Sequence, residues 1–201
     1  MMLALATLIG AALAAGIHSG IPVHQRDLGE PAFQSPENGW TAPLANGQGF
    51  VRVFVGRDEA QAADWFLRTR DSFSMLIPDY PPLNVGSGAD EAAGDGVGVL
   101  LFRDGNVGVM VRAEDGTALT MGESLKARIV DGAPGLFMPA MQRVEDGWAL
   151  VAPGAVFVQQ QGGAQIPLFL TGGMPSQGLT FTVRPESFTV WDAYGRATVV
   201  R

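Results

Sequence analysis

The stretch that most restricts how this 201-residue chain can fold is VLLFRDGNVGVMVR, residues 99–112. Two apolar runs flank Arg103, Asp104, Gly105 and Asn106. A glycine directly after an aspartate suits a tight turn, because glycine enters the left-handed region without a Cβ penalty. The expectation is a β-hairpin in which Asp104 bonds its local backbone and Gly105 takes positive φ. On this reading the polar knot is a turn before it is a site.

The flanks give the architecture. FVRVFVG, from Phe50 to Gly56, alternates with Val51, Val53 and Val55 on one face, as a strand does. RDEAQAADWFLRTRDSF follows as a predicted helix. Asp58 is its N-cap, with Gln61 three positions on as in a capping box. Ala62, Phe66, Thr69 and Phe73 fall on one side, with Trp65 close by. Residues 74–95 carry PDYPP and GADEAAGDG and read as a long loop. Asp115 is placed as the cap of a second helix in GTALTMGESLKARIV, striped by Ala118, Met121, Leu125 and Ile129. Strand, helix, loop, hairpin and helix in that order predict an α+β domain over 50–132. Both helices are expected on one face of an antiparallel sheet.

Beyond it, WALVA, AVFVQQQ, IPLFL, LTFTVR, FTVWDA and RATVVR are separated by turn signals. Residues 133–201 therefore read as a β-rich part, a small sandwich or a sheet extension. Residues 16–49, with Pro22, Pro31, Pro36 and Pro43, hold no sustained period and read as an extended arm or linker.

Met2 to Ile17 is uninterrupted by charge, and Ala12-Leu13-Ala14 has the small-x-small form of a cleavage site. Residues 1–15 are read as an export signal, although no Lys or Arg precedes the apolar run. An uncleaved anchor and a buried N-terminal helix are the rival readings. The protein is thus expected in the periplasm, at the cell surface or in the medium, touching membrane only through this segment if it stays uncleaved. A net charge of −7, with Lys126 the single lysine, argues against nucleic acid as a partner.

Chemistry is constrained mainly by what is scarce. There is no cysteine, which removes disulfides, thiolate nucleophiles, cysteine-bound zinc and a lipoprotein anchor. The two histidines, His18 and His24, lie near the N-terminus, and Gly86-Ser87-Gly88 lacks the full nucleophile-elbow pattern. Lys126 and Ser124 stand two apart on a helix and so point to different faces. Asp90, Glu91 and Asp95 do not match a calcium-loop spacing and read as solvated loop residues. If the mature chain began at Gly16, then Gly16, Ile17 and His18 would offer an amine, two amides and an imidazole to Cu(II) or Ni(II). Trp148, Trp191 and Tyr194 could stack on a sugar or grip a partner, or simply pack.

No catalytic residue and no cofactor are assigned. The reading is an exported, non-enzymatic envelope protein that binds a protein or glycan partner. Two alternatives stand beside it. One is a carbohydrate-binding module or carboxylate-dependent carbohydrate-active enzyme. The other is an assembly subunit using residues 19–49 as an exchanged arm.

Overall fold

The computed structural model describes residues 16–23, 38–74, 85, 88–152, 154–160, 165–167 and 180–201. The export segment over 1–15 lies outside the described residues. The fold is α+β, mostly antiparallel sheet, in two compact units; in described residues the first takes 16–23 and those within 39–134, the second Asn38 and those within 135–201.

The first unit is built on five antiparallel strands: β2 (Gly39–Pro43), β3 (Gly49–Val55), β4 (Glu91–Gly94), β5 (Val99–Asp104) and β6 (Val107–Ala113). Their spatial order is β2-β3-β6-β5-β4. The hairpin forms as the sequence predicts, Asp104 pairing with Val107 around a Gly105-Asn106 turn in which Gly105 has φ 54°. Two helices, α1 (Glu59–Ser74) and α2 (Ala118–Lys126), complete the unit with the short pair β1 (His18–Gly20) and β7 (Val130–Asp131). At the start of α1, Asp58 accepts from the Gln61 amide at 2.8 Å, and the Gln61 side chain accepts from the Arg57 amide at 2.8 Å. Ala62, Trp65 and Phe66 are its buried side, while the Phe73 side chain lies outside the described set.

The helices do not share a face. Those three residues pack with Phe54, Ala93, Leu101 and Met110. Gly122 of α2 instead sits over Leu100 and Phe102. Neighbouring residues of a strand point to opposite sides, so α1 covers one face and α2 the other. The cause lies in the hairpin itself. VLLF and VGVMV are apolar at consecutive positions, and a sheet of such strands needs cover on both faces. Each large side chain taken fully from water contributes about 1.5–3 kcal/mol, so one open face would forfeit several such terms.

The expected arm is, in its described parts, integral to this unit. Ile21 is fully buried, and its carbonyl accepts from Trp40 Nε1 at 2.8 Å. Trp40 itself is a buried residue of β2, an edge strand of the sheet.

The second unit holds β8 (Ala140–Val144), β9 (Gly147–Val151), β10 (Ala155–Gln160), β11 (Gln165–Pro167), β12 (Thr180–Phe181), β13 (Phe188–Asp192) and β14 (Ala197–Val200). They form the sheets β12-β9-β8 and β11-β10-β13-β14. Leu150 from the first sheet shares a core with Val158, Phe188, Val190 and Val200 from the second, with Met141 and Phe181 packed against it. The two sheets of this β-rich unit thus share one core.

Candidate functional site

Two places gather functional side chains, one in each unit. In the first unit they surround the tip of the β5–β6 hairpin. Asn106 is 3% exposed, and its side chain makes three bonds to backbone. It accepts from His18 N at 2.6 Å and donates to His18 O at 3.0 Å and to Gly56 O at 2.8 Å. Gly105 must lack a side chain here, since a Cβ would stand 2.0 Å from Gly16 O. Further bonds run from Gly132 N to Ile17 O (2.9 Å), from Ser19 Oγ to Gly132 O (2.9 Å) and from Arg128 to Pro22 O (2.9 Å).

Charged groups ring this tip. Arg103 is held by Asp90 at 3.0 Å and Glu91 at 2.8 Å, and it also donates to Gly105 O. Asp90 and Glu91 are therefore not the free loop carboxylates that composition suggests. Residues 91–94 form an edge strand, and its register places Glu91 opposite Arg103. Asp104 does not turn back on its own backbone either. It pairs with Lys126 at 2.5 Å, because the end of α2 brings the only lysine of the chain to the hairpin. His18 lies between two carboxylates, Nδ1 3.0 Å from Asp131 and Nε2 3.9 Å from Asp104. The Nδ1 contact is close but is not aligned as a hydrogen bond.

The sequence Asp131, His18, Asp104, Lys126 alternates in sign when His18 is protonated. Chemically it is a clasp that ties residues 16–20 to the hairpin and to α2. Ser19, the neighbouring hydroxyl, gives its proton to Gly132 O and faces no base. The copper-type set of Gly16, Ile17 and His18 would need the His18 amide nitrogen, which here donates to Asn106. Among the described residues, no three His, Cys, Asp or Glu side chains converge as metal ligands.

The three aromatic candidates all fall in the second unit without forming a row. Trp191, on β13, is 1% exposed and pairs with Phe157. Trp148, on β9 of the other sheet, is half-buried with the Arg184 guanidinium 4.9 Å over its ring. Tyr194 is half-buried in the β13–β14 turn, which Asp192 organises. That carboxylate, 4% exposed, accepts from Tyr194 N at 3.0 Å, Arg196 N at 2.9 Å and the Arg196 side chain at 2.6 Å.

The second place is the outer face of the β12-β9-β8 sheet. Leu150 and Met141 point into the core, so their strand neighbours point out. The pairs are Ala140 with Val151, Gln142 with Ala149, and Val144 with Gly147, while Thr180 stands beside Ala149. None of these carries a charge, and Ala140, Gln142, Val144, Val151 and Thr180 are exposed. At one end the face opens into a groove of about 390 Å³ lined by Val144, Glu145, Asp146, Thr180, Phe181 and Thr182. Sequence reasoning passed over this surface by weighing aromatics alone. The available signal was the uncharged alternation at 140, 142 and 144 and at 147, 149 and 151.

Comparison with family models, with curated proteins and with solved structures finds no match to this chain.

Proposed function

We propose that the chain is an exported, non-enzymatic envelope protein that binds a partner protein through the outer face of β8, β9 and β12. One observation carries the reading: an exposed sheet face with no charge at any of its positions, on a chain of net charge −7. Sheet faces that remain in water are ordinarily lined by polar and charged side chains, whereas interface centres are depleted in charge. The hairpin-tip cluster supports the non-enzymatic part, since Asn106, Arg103, Asp104, Lys126 and Ser19 are engaged in bonds within the chain. Export rests on the Met2–Ile17 segment.

A photo-crosslinking residue at Val151, compared with one at exposed Leu67 of α1, tests the binding face in the native host. A discrete adduct at Val151 and none at Leu67 is expected. No adduct at Val151, or the same adducts at both, would overturn the reading. Intact mass and N-terminal sequencing of each cell fraction tests export. An unprocessed chain in the cytosol would remove it.

A further inference from the structure

We infer that the chain also pairs with a second copy of itself through the free edge of β8, making one continuous six-stranded sheet. The pairing uses the edge of β8 and leaves its outer face open, so it goes beyond the binding reading above.

β8 has β9 on one side and no strand on the other among the described residues. It is five residues long, AMQRV, with four exposed, and its pairing with β9 shows no bulge. It contains neither the proline nor the lysine that commonly guards an exposed edge. Three of the other edges are less open. β2 ends in Pro43, β11 in Pro167, and the carbonyl of Arg201, just past β14, accepts from Arg184.

The sequence of β8 fits itself. Val144 and Gly147 flank the two-residue Glu145-Asp146 turn, so positions 144, 142 and 140 exchange bonds with β9. Met141 and Arg143 then aim their amides at the open edge. An antiparallel copy centred on Gln142 sets Met141 opposite Arg143, so each free amide meets a free carbonyl. Ala140 falls opposite Val144, and Gln142 opposite itself.

Charge agrees with this register. Arg143, the one charged residue of β8, faces Met141 and not its own copy. The acidic Glu145-Asp146 turns go to opposite ends of the joined strands, seven residues or about 24 Å apart. That distance is roughly three Debye lengths in physiological salt, so their repulsion is screened.

Because the chain has no cysteine, single-cysteine variants report the register directly. Sedimentation of the full chain across a wide concentration range is expected to show a monomer–dimer equilibrium. Gln142→Cys should form a covalent dimer on oxidation, since directly opposed Cβ atoms lie about 4.5–5.5 Å apart. Ala140→Cys and Val144→Cys alone should not, whereas mixing the two should. Arg143→Pro deletes an amide that faces the edge and spares the hairpin, so it should raise the dimer Kd about tenfold or more.

A monomer at every concentration overturns the inference. So does a dimer that cross-links at 140 or 144 alone but not at 142, or one that Arg143→Pro leaves intact. A monomer whose Val151 probe captures a different protein would reject the second copy while leaving the binding face standing.

Discussion

The backbone of His18 is held on both sides by one side chain, Asn106, which accepts from its amide at 2.6 Å and donates to its carbonyl at 3.0 Å. These residues are 88 apart in sequence, so the contact fixes the start of the described chain onto the hairpin. Asn106→Ala leaves His18 N, His18 O and Gly56 O without their partner in a buried site. The expected cost is about 2–4 kcal/mol, read from urea unfolding at unchanged slope. Proteolysis near residues 16–23 should accelerate in parallel. A variant as stable as wild type would show that the clasp contributes nothing.

Asp104 and Lys126 are expected to behave as a coupled pair. The two side chains are only 20% and 13% exposed, so each shields the other from a poorly solvated charge. Asp104→Asn and Lys126→Met should each destabilise. The double variant should lose less than their sum, with a coupling of about 1–3 kcal/mol. Little of it should vanish in high salt, because a half-buried pair is weakly screened. Additive effects would return Asp104 to the role of a simple turn residue.

Two glycines at the helix–sheet contacts, one on the sheet and one on a helix, predict opposite outcomes. At Gly108 a Cβ would press the Trp65 ring at 2.4 Å, and that ring is stacked on Phe54 with centroids 5.3 Å apart. Gly108→Ala should cost about 1–3 kcal/mol and alter the near-ultraviolet signal of the tryptophan. At Gly122 the obstacle is the far methyl of Leu100, which can turn aside. The gain of about 1 kcal/mol in helix propensity offsets the crowding there, so Gly122→Ala should be near neutral by thermal unfolding. The reverse ranking would contradict the packing of both faces.

These positions show which parts of the fold were legible in the sequence. Local patterns found β3, the hairpin and α1, because alternation, the Asp-Gly turn and the Asp58/Gln61 cap each act within a few residues. The same hairpin held an unread clue. Leu100, Leu101 and Phe102 are apolar in succession and all buried, which places a helix on each side of the sheet. The pattern for α2 overshoots at both ends, since Thr117 and not Asp115 stands at its N-cap. The helix ends at Lys126, and Val130 leaves it to pair with Gly20. β1, β2 and β4 were missed for a different reason. Each is short, and each is fixed by distant partners such as Asn106, Val53 and Arg103. The pairs Asp104 with Lys126 and Arg103 with Glu91 were invisible for the same cause, since only the sheet order brings them together.

Asp95 gives the chain a pH dependence whose sign can be worked out. Its carboxylate accepts from the amides of Val97, Gly98 and Val99 at 2.8–2.9 Å in the β4–β5 turn. Partial burial pushes its pKa up, but the backbone hydrogen bonds outweigh this, and the group lies below its ordinary value of 3.8. A depressed carboxylate stabilises the fold above the unfolded value, and that contribution fades as pH falls toward the folded one. Asp95→Asn keeps an accepting oxygen and the shape of the turn but loses the charge. The variant should therefore be less stable than wild type at neutral pH, with the gap closing progressively below about pH 4. Urea midpoints of the two proteins from neutral to acid pH measure it. A gap that stays constant through that range would mean that the turn is indifferent to the charge on Asp95.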